Sequence, residues 1–210
     1  MIEIKQLVTG PVEENCYFIY NDESMLIVDP GEDEVEIKRI VEELGRKPVA
    51  ILLTHTHYDH IGAVETIRHT YDIPVYVHPI EQEWLGNPTL NLSGRHPGMK
   101  DIVVAPAEHE FELKDYTLGG MTFKVVVHTP GHSPGSVSFI FPEARFVVSG
   151  DALFAGSVGR SDLPFGDGKQ LLEVIKSELF TLPKDYAVYP GHRGASTIGK
   201  EIETNPFFRS

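Results

Sequence analysis

A short apolar run at residues 49–53 is followed directly by T-H-T-H-Y-D-H at residues 54–60. An uninterrupted apolar run of this length is typical of a strand that is buried on both faces. Three histidines and an aspartate lie within the next few positions, at residues 55, 57, 59 and 60. Binding and catalytic side chains are often placed on loops that a rigid scaffold positions. The chain is therefore expected to fold so that the end of this strand forms a site.

The rest of the chain alternates strand-like and helical patterns. Strands are predicted at residues 2–8, 16–20, 25–28, 49–53, 73–77, 111–113, 121–128, 137–141, 146–149 and 187–189. Helices are predicted at residues 33–44, about 61–71, 168–180 and 197–203, from apolar residues at helical spacing. Residues 79–101, rich in proline and glycine, are expected to form a short helix and a long loop that walls a pocket. This order favours an α+β fold with two sheets and outer helices, in a single domain over residues 1–210.

Three other strand ends carry similar side chains. His132 lies in H-T-P-G-H-S-P-G at residues 128–135, Asp151 ends S-G-D at 149–151, and His192 ends Y-P-G-H at 189–192. Imidazole and carboxylate groups without a thiolate suit zinc, iron or manganese. One tetrahedral zinc has four coordination positions, so this set is large enough for two metals. A single histidine at a strand end is usually structural, but such a cluster argues for metal binding.

Composition limits the compartment and the partners. Among 210 residues the net charge is −13, which disfavours nucleic acid and anionic membranes as partners. Cys16 is the only cysteine and lies in a strand-like run, so it is expected in the core and no intramolecular disulfide is possible. No signal peptide or apolar run of about 20 residues is visible, and the cytoplasm is the expected location.

The four motifs, T-H-x-H-x-D-H, H-T-P-G-H, S-G-D and P-G-H in this order, resemble the metallo-β-lactamase superfamily over nearly the whole chain. The resemblance implies a four-layer αββα sandwich of two mixed sheets flanked by helices, with two divalent metals at one edge. Zinc is expected, with iron or manganese as alternatives. By motif, the first metal would be held by His55, His57 and His132, the second by Asp59, His60 and His192, and Asp151 would bridge them.

Within that superfamily, three stretches look like the short form of the glyoxalase II-like hydrolases. They are G-P-V-E-E-N-C-Y at residues 10–17, G-D-A-L-F with G-R-S-D-L-P at 150–164, and the ending P-G-H-R-G-A-S-T-I-G-K-E…T-N-P-F-F. No C-terminal helical substrate-binding domain is expected. Asp162 and Gly194 stand where the full-length enzymes carry tyrosines, and Arg160 stands in place of a lysine. Arg160 and Arg193 are candidates to bind an anionic substrate.

The resemblance implies hydrolysis of a small hydroxyacyl thioester such as S-lactoylglutathione by a metal-bridging hydroxide, with Asp59 and Asp151 as the catalytic carboxylates. The alternative is an oxidoreductase similar to persulfide dioxygenases, which carry one iron. That set maps onto His55, His132 and Asp151. A nuclease is disfavoured because the chain is acidic and has no basic arm.

Overall fold

The computed structural model describes residues 1–95, 98 and 100–209, and for residues 125–127 it describes the backbone alone. These residues form two compact units. The first unit is Met1–Phe111 with Thr117–Met121, and the second unit is Glu112–Tyr116 with Thr122–Ser210. His96, Pro97 and Met99, which belong to the predicted pocket-wall loop, lie outside the described residues. The prediction of a single domain stays a prediction.

The first unit contains a mixed six-stranded sheet in the order β1-β2-β3-β4-β5-β6. Its strands are β1 (Glu3–Thr9), β2 (Glu14–Tyr20), β3 (Ser24–Val28), β4 (Lys47–Leu52), β5 (Val75–Val77) and β6 (His109–Glu110). Strands β1 to β3 pair antiparallel, and β3 to β6 pair parallel. Because β3 and β4 are parallel neighbours, the residues that follow them emerge at the same edge of the sheet.

The helices of the first unit are α1 (Glu34–Leu44), α2 (Tyr58–Ile61) and α3 (Val64–Tyr71). One helix was predicted over residues 61–71, whereas the structure has two, separated at Gly62 and Ala63. The break has a tertiary cause: Ala63 N donates to Pro30 O at 3.0 Å, and a Cβ at Gly62 would lie 2.3 Å from Gly31 O. Contact with the D-P-G turn after β3 therefore sets where α3 begins.

The strand predicted at residues 111–113 is wrong. The pairing strand is β6, which ends at Glu110, and the chain then turns, with Lys114 N bonded to Glu112 O and Glu112 N bonded to the Tyr116 hydroxyl. These bonds lead into β7 (Asp115–Leu118), a strand that was not predicted. Its residues show no clear apolar alternation, which is why the sequence did not reveal it.

The second sheet has the order β14-β13-β10-β9-β8-β7. Its other strands are β8 (Met121–His128), β9 (Val137–Phe141), β10 (Phe146–Gly150), β13 (Ala187–Pro190) and β14 (Ser196–Thr197), while β11 (Leu153–Phe154) and β12 (Ser157–Val158) form a separate hairpin. Strands β10 and β13 are parallel, and β8, β9 and β10 pair antiparallel.

Helix α4 (Gly168–Val174) continues as a π-helical turn over Ile175–Leu179, and α5 is Ile198–Thr204. Leu171, Ile175 and Leu179 are buried, as the predicted apolar face requires. The predicted α+β class, with two mixed sheets and helices, is confirmed. Within the described ranges, no helix is long and apolar enough to cross a bilayer.

Candidate metal centre

The T-H-T-H-Y-D-H segment joins β4 to α2 and is buried although it is polar. His55, His57 and His60 are each at most 3% exposed. The ring of His55 lies 4.7 Å from that of His57 and 4.1 Å from that of His60, measured between centroids. His57 immediately precedes α2 in an extended conformation, so Asp59 and His60 fall on the first turn of that helix. Asp59 Oδ2 lies 3.7 Å from His60 Nε2.

Asp29, which directly follows β3, fixes this segment through hydrogen bonds. Its carboxylate accepts hydrogen bonds from Thr54 N at 2.8 Å and Thr54 Oγ1 at 2.6 Å, and its Oδ2 lies 3.0 Å from His60 Nδ1. Ligand atoms of Asp29, His55 and His60 all lie within 4.8 Å of one another. A carboxylate on the Nδ1 of a histidine is the usual partner of a metal-binding imidazole, since it leaves Nε2 directed at the metal. The pattern D-P-G at residues 29–31 predicts only a turn, so the sequence did not indicate this role of Asp29.

A second buried carboxylate supports the backbone between the histidines. Glu81, on a short 3₁₀ helix after β5, accepts hydrogen bonds from Thr56 N at 2.7 Å and from Thr56 Oγ1 at 2.8 Å. Both residues are fully buried. Since Thr56 lies between His55 and His57, Glu81 fixes the path of the chain that carries both imidazoles. No sequence pattern indicates this role of Glu81, because nothing in H-P-I-E-Q-E distinguishes it from a surface acid.

Glu14 is a third buried carboxylate close to His60. Its Oε2 accepts a hydrogen bond from Thr9 Oγ1 at 2.5 Å, and its Oε1 lies 3.8 Å from His60 Nδ1. Burial raises the pKa of the Glu14 carboxyl well above its usual value, although the charge on His60 opposes the shift. The raised pKa favours the neutral form of this carboxyl.

In the second unit, the three predicted ligands converge. Asp151 follows β10, and His192 follows the parallel neighbour β13, so both emerge at one sheet edge, where Gly191 N donates to Gly150 O at 2.8 Å. Asp151 Oδ2 lies 3.4 Å from His132 Nε2 and 3.5 Å from His192 Nε2. His132 Nδ1 lies 2.7 Å from the main-chain oxygen of Arg160. An imidazole held at Nδ1 by a carbonyl carries its proton there, so its Nε2 is a lone-pair donor.

Two glycines allow close backbone approach at these carboxylates. A Cβ at Gly31 would lie 1.8 Å from Asp59 O, and a Cβ at Gly159 would lie 1.8 Å from Asp151 O. No side chain fits at either position, so the main chain of each candidate ligand packs directly against a glycine. The Gly31 position was predicted only as part of a turn.

The two candidate substrate arginines are exposed. Arg160 makes a two-bond ion pair with Asp162, Nε to Oδ1 and Nη2 to Oδ2 both at 2.8 Å, and this guanidinium lowers the pKa of the Asp162 carboxyl to about 2. Arg193 directly follows His192 and has a positive φ of 71°. Their predicted role in substrate binding stays a prediction.

The remaining histidines have other surroundings. The sequence predicts surface positions for His69, His78 and His109. His69 and His109 are exposed, whereas His78 is half-buried and accepts a hydrogen bond from Ile80 N at 3.3 Å. His128 contacts the main-chain oxygen of Pro134. Cys16 is fully buried, as predicted, and burial raises the pKa of its thiol well above the usual value.

Curated relatives resemble the chain over almost its whole length. A probable metallo-hydrolase of Streptococcus pyogenes serotype M6 is 44% identical, covering 99% of this chain and 91% of the relative. The hydroxyacylglutathione hydrolase GloC of Haemophilus influenzae is 32% identical, and the match covers 94% of each chain.

Solved structures agree with this relationship. The crystal structure of the BLEG-1 B3 metallo-β-lactamase superposes with a TM-score of 0.95 at 44% identity, covering 99% of this chain and 100% of that one. TTHA1623 in a di-iron-bound form gives a TM-score of 0.86 at 40% identity, covering 97% and 99%. ETHE1 from Myxococcus xanthus gives 0.76 at 26% identity, covering 97% and 83%. The predicted metallo-β-lactamase fold is confirmed.

A family model adds the most direct identification. The model of the metallo-β-lactamase superfamily matches residues 9–192, a range that includes every predicted metal ligand. Together with the whole-length relatives, this match shows that the chain belongs to the metallo-β-lactamase superfamily.

Proposed function

We propose that this chain is a metal-dependent hydrolase that cleaves a small thioester of the hydroxyacyl type. The observation that carries the proposal is the convergence of His132 Nε2 and His192 Nε2 on one oxygen of Asp151, at 3.4 and 3.5 Å. Three ligand-type groups aimed at one point, with His132 fixed at Nδ1 by a carbonyl, suit a bound divalent cation. The buried imidazoles of His55, His57 and His60, with the half-buried carboxylate of Asp59, offer the same donor types in the first unit.

The ligand assignment follows the family motif. The first metal would be held by His55, His57 and His132, and the second by Asp59, His60 and His192, and Asp151 would contribute to holding both. The contacts of Asp29 with His60 and of Arg160 O with His132 support this assignment, because each contact uses Nδ1 and so directs Nε2 at a metal. The donor set contains imidazole and carboxylate but no thiolate, which suits zinc, iron or manganese.

The metals and the side chains around them have separate roles in the proposed hydrolysis. When bound, a pair of divalent metals supplies a hydrolytic nucleophile at neutral pH and polarises the scissile carbonyl. Asp59 is placed to orient the attacking water through its carboxylate, since its side chain is held by α2 beside His60. Asp29 and Glu81 keep the imidazoles in place. Arg160 and Arg193 are the candidates to bind an anionic part of the substrate.

The thioester class is supported by the relatives. The hydroxyacylglutathione hydrolase of Haemophilus influenzae matches the chain at 32% identity over 94% of its length, and the Streptococcus pyogenes relative is a probable metallo-hydrolase. We propose zinc as the metal. TTHA1623 in a di-iron-bound form shows that a relative at 40% identity accommodates iron.

The test combines metal content with turnover. Protein purified without added metal is analysed for bound metals and then assayed with S-lactoylglutathione and simpler thioesters. We expect about two metals per chain and metal-dependent hydrolysis, and we expect Asp151→Ala and His57→Ala to lose both. The matched control is His69→Ala, which removes an exposed histidine. Full thioester turnover in metal-free protein, or full metal binding and turnover in Asp151→Ala, would overturn the proposal.

An iron-dependent oxidoreductase is the second candidate. Two solved structures support this second candidate: TTHA1623 in a di-iron-bound form, and ETHE1 at 26% identity. It would use one iron held by His55, His132 and Asp151. One iron per chain, with oxygen consumption on glutathione persulfide and no thioester hydrolysis, would select this function.

Small thioesters remain the proposed partners, and the proposed location is the cytoplasm. A filter-binding assay with double-stranded DNA and a sedimentation assay with anionic vesicles check the expected absence of nucleic-acid and membrane partners. With a net charge of −13, we expect no retention in either assay at physiological salt.

A further inference from the structure

A strained aromatic residue lies in the loop between β12 and α4. Residues 163–166 form a β-turn in which Gly166 N donates to Leu163 O at 2.9 Å. Pro164 occupies the second position, where proline is favoured, and Phe165 occupies the third position with φ of +66°. That position of a turn normally carries glycine or asparagine, because a bulky side chain at positive φ is strained.

The surrounding loop holds this turn in place. At one end His132 Nδ1 lies 2.7 Å from Arg160 O, and at the other Asp167 N donates to Gly131 O at 2.8 Å. Both contacts are made to the loop that carries His132. Inside the turn, a Cβ at Gly166 would lie 2.3 Å from Ser161 O. These contacts of the packed loop hold the strained conformation in place.

Burial does not explain the phenylalanine. Its side chain is 66% exposed, so it gains little of the hydrophobic stabilisation that would offset a strained backbone. Arg160 and Asp162, earlier in the same loop, neutralise each other through their two-bond ion pair, so that pair adds no net charge to the loop. Backbone strain of this kind, over-determined by its surroundings and located in a loop that contacts the loop of a candidate metal ligand, is characteristic of functional positions.

We propose that Phe165 is a specificity-determining residue whose ring contacts an apolar chain of the substrate. The inference rests on the proposed function, in which His132 holds a metal and a thioester binds beside it. An aromatic face displayed on a rigid loop offers apolar contact area with little loss of conformational entropy. The apolar chain comes from the acyl group or from the thiol of the thioester, and the two are distinguished by experiment.

The experiment compares two substrate series. In one, the thiol is N-acetylcysteamine and the acyl group is acetyl or hexanoyl; in the other, the acyl group is acetyl and the thiol is methanethiol or hexanethiol. In the series whose chain meets Phe165, we expect Phe165→Gly and Phe165→Asn to lower the long-to-short ratio of kcat/KM by about tenfold, mainly through KM. Glycine and asparagine both tolerate positive φ, so neither variant adds backbone strain.

Thermal stability is a second measurement, and it should change in the opposite direction to substrate selectivity. Because glycine relieves the strain at φ +66°, we expect Phe165→Gly to raise the Tm by about 2 °C while selectivity falls. The control is Phe207→Ala, which removes another exposed phenylalanine, on a 3₁₀ helix at the end of the chain. We expect it to leave the selectivity ratio unchanged. Equal long-to-short ratios in wild type and Phe165→Gly in both series would overturn the inference.

A binding measurement separates this inference from the proposed function. The thioether S-hexyl-N-acetylcysteamine resembles the long substrates but cannot be hydrolysed. We expect it to raise the Tm of the metal-loaded wild type more than that of Phe165→Gly. Absence of turnover with every thioester in the wild type would reject the proposed function, whereas equal Tm shifts in the two proteins would reject the role of Phe165.

Discussion

Glu81 accepts two hydrogen bonds from Thr56, one from the main-chain nitrogen at 2.7 Å and one from the hydroxyl at 2.8 Å. The two residues are 25 positions apart and fully buried. Because Thr56 lies between His55 and His57, the pair couples a distant carboxylate to the geometry of two candidate ligands. Glu81 is therefore a positioning residue, and removing it has consequences for both stability and metal binding.

We expect Glu81→Ala to lower the free energy of unfolding by about 3 kcal/mol, since two buried donors of Thr56 lose their acceptor. Metal affinity should fall by about 10- to 100-fold, as is usual when a group that orients the ligands is lost. Urea unfolding of the metal-free protein and competition with a chelator measure the two effects. The control is Glu83→Ala, an exposed acid two positions along the chain. Unchanged metal affinity in Glu81→Ala would contradict the positioning role.

A second prediction concerns Asp29, which contacts His60 directly and can be tested independently of Glu81. We expect Asp29→Ala to weaken metal binding by about 10- to 100-fold, since His60 Nδ1 loses the carboxylate 3.0 Å away. The affected metal should be the one assigned to Asp59, His60 and His192. Titration of metal-free protein, followed by calorimetry, would show one weakened and one largely retained site. The control is Asp22→Ala, which removes an exposed aspartate and should leave both metal affinities at the wild-type values. Wild-type metal affinities in Asp29→Ala would mean that Asp29 serves only the turn.

These carboxylates also show where prediction from the sequence stopped. The candidate ligands at residues 55, 132, 151 and 192 could be proposed from the sequence because each follows an apolar strand, and strand ends are local features. Asp29 also follows a strand, but recognising its role requires knowing that β3 lies beside β4. Glu81 follows no comparable pattern. Its contact with Thr56 depends on tertiary structure alone, which hydrophobic periodicity does not encode.

The same distinction applies to the fold. Apolar runs predicted β8 and β9 at their observed bounds, because strands of this kind are recognisable from a local run of apolar residues. The division between α2 and α3 was missed because it depends on the close approach of Gly31 to Gly62, and β7 was missed because its residues are partly exposed. Elements that depend on distant contacts are the ones that the sequence left unpredicted.

Gly159 should be intolerant of any side chain. A Cβ there would lie 1.8 Å from Asp151 O, a backbone atom that can move only with the ligand itself. We expect Gly159→Ala to cost at least about 3 kcal/mol in the free energy of unfolding and to abolish tight metal binding. Thermal unfolding with and without added zinc gives both quantities. Gly194→Ala is the control, because no heavy atom lies within 4 Å of its added Cβ. Equal zinc-dependent Tm shifts in the two variants would show that the contact does not matter.

The buried thiol of Cys16 should make the free energy of unfolding depend on pH. Burial raises the pKa of its thiol well above the usual value, so the folded protein keeps it neutral while the unfolded chain ionises it above a pKa of about 8.5. Stability from this group is fully present below that pH and is lost as the pH rises. Between pH 7.5 and 9.5 the loss should be about 1.4 kcal/mol.

Urea unfolding of wild type and Cys16→Ala across this pH range isolates the thiol, since all other titrating groups are common to both proteins. The variant should be less stable at pH 7.5, because a buried side chain is shortened, and the difference should narrow by about 1.4 kcal/mol at pH 9.5. A difference that stays constant across the range would mean that the Cys16 thiol ionises equally in the folded and unfolded states.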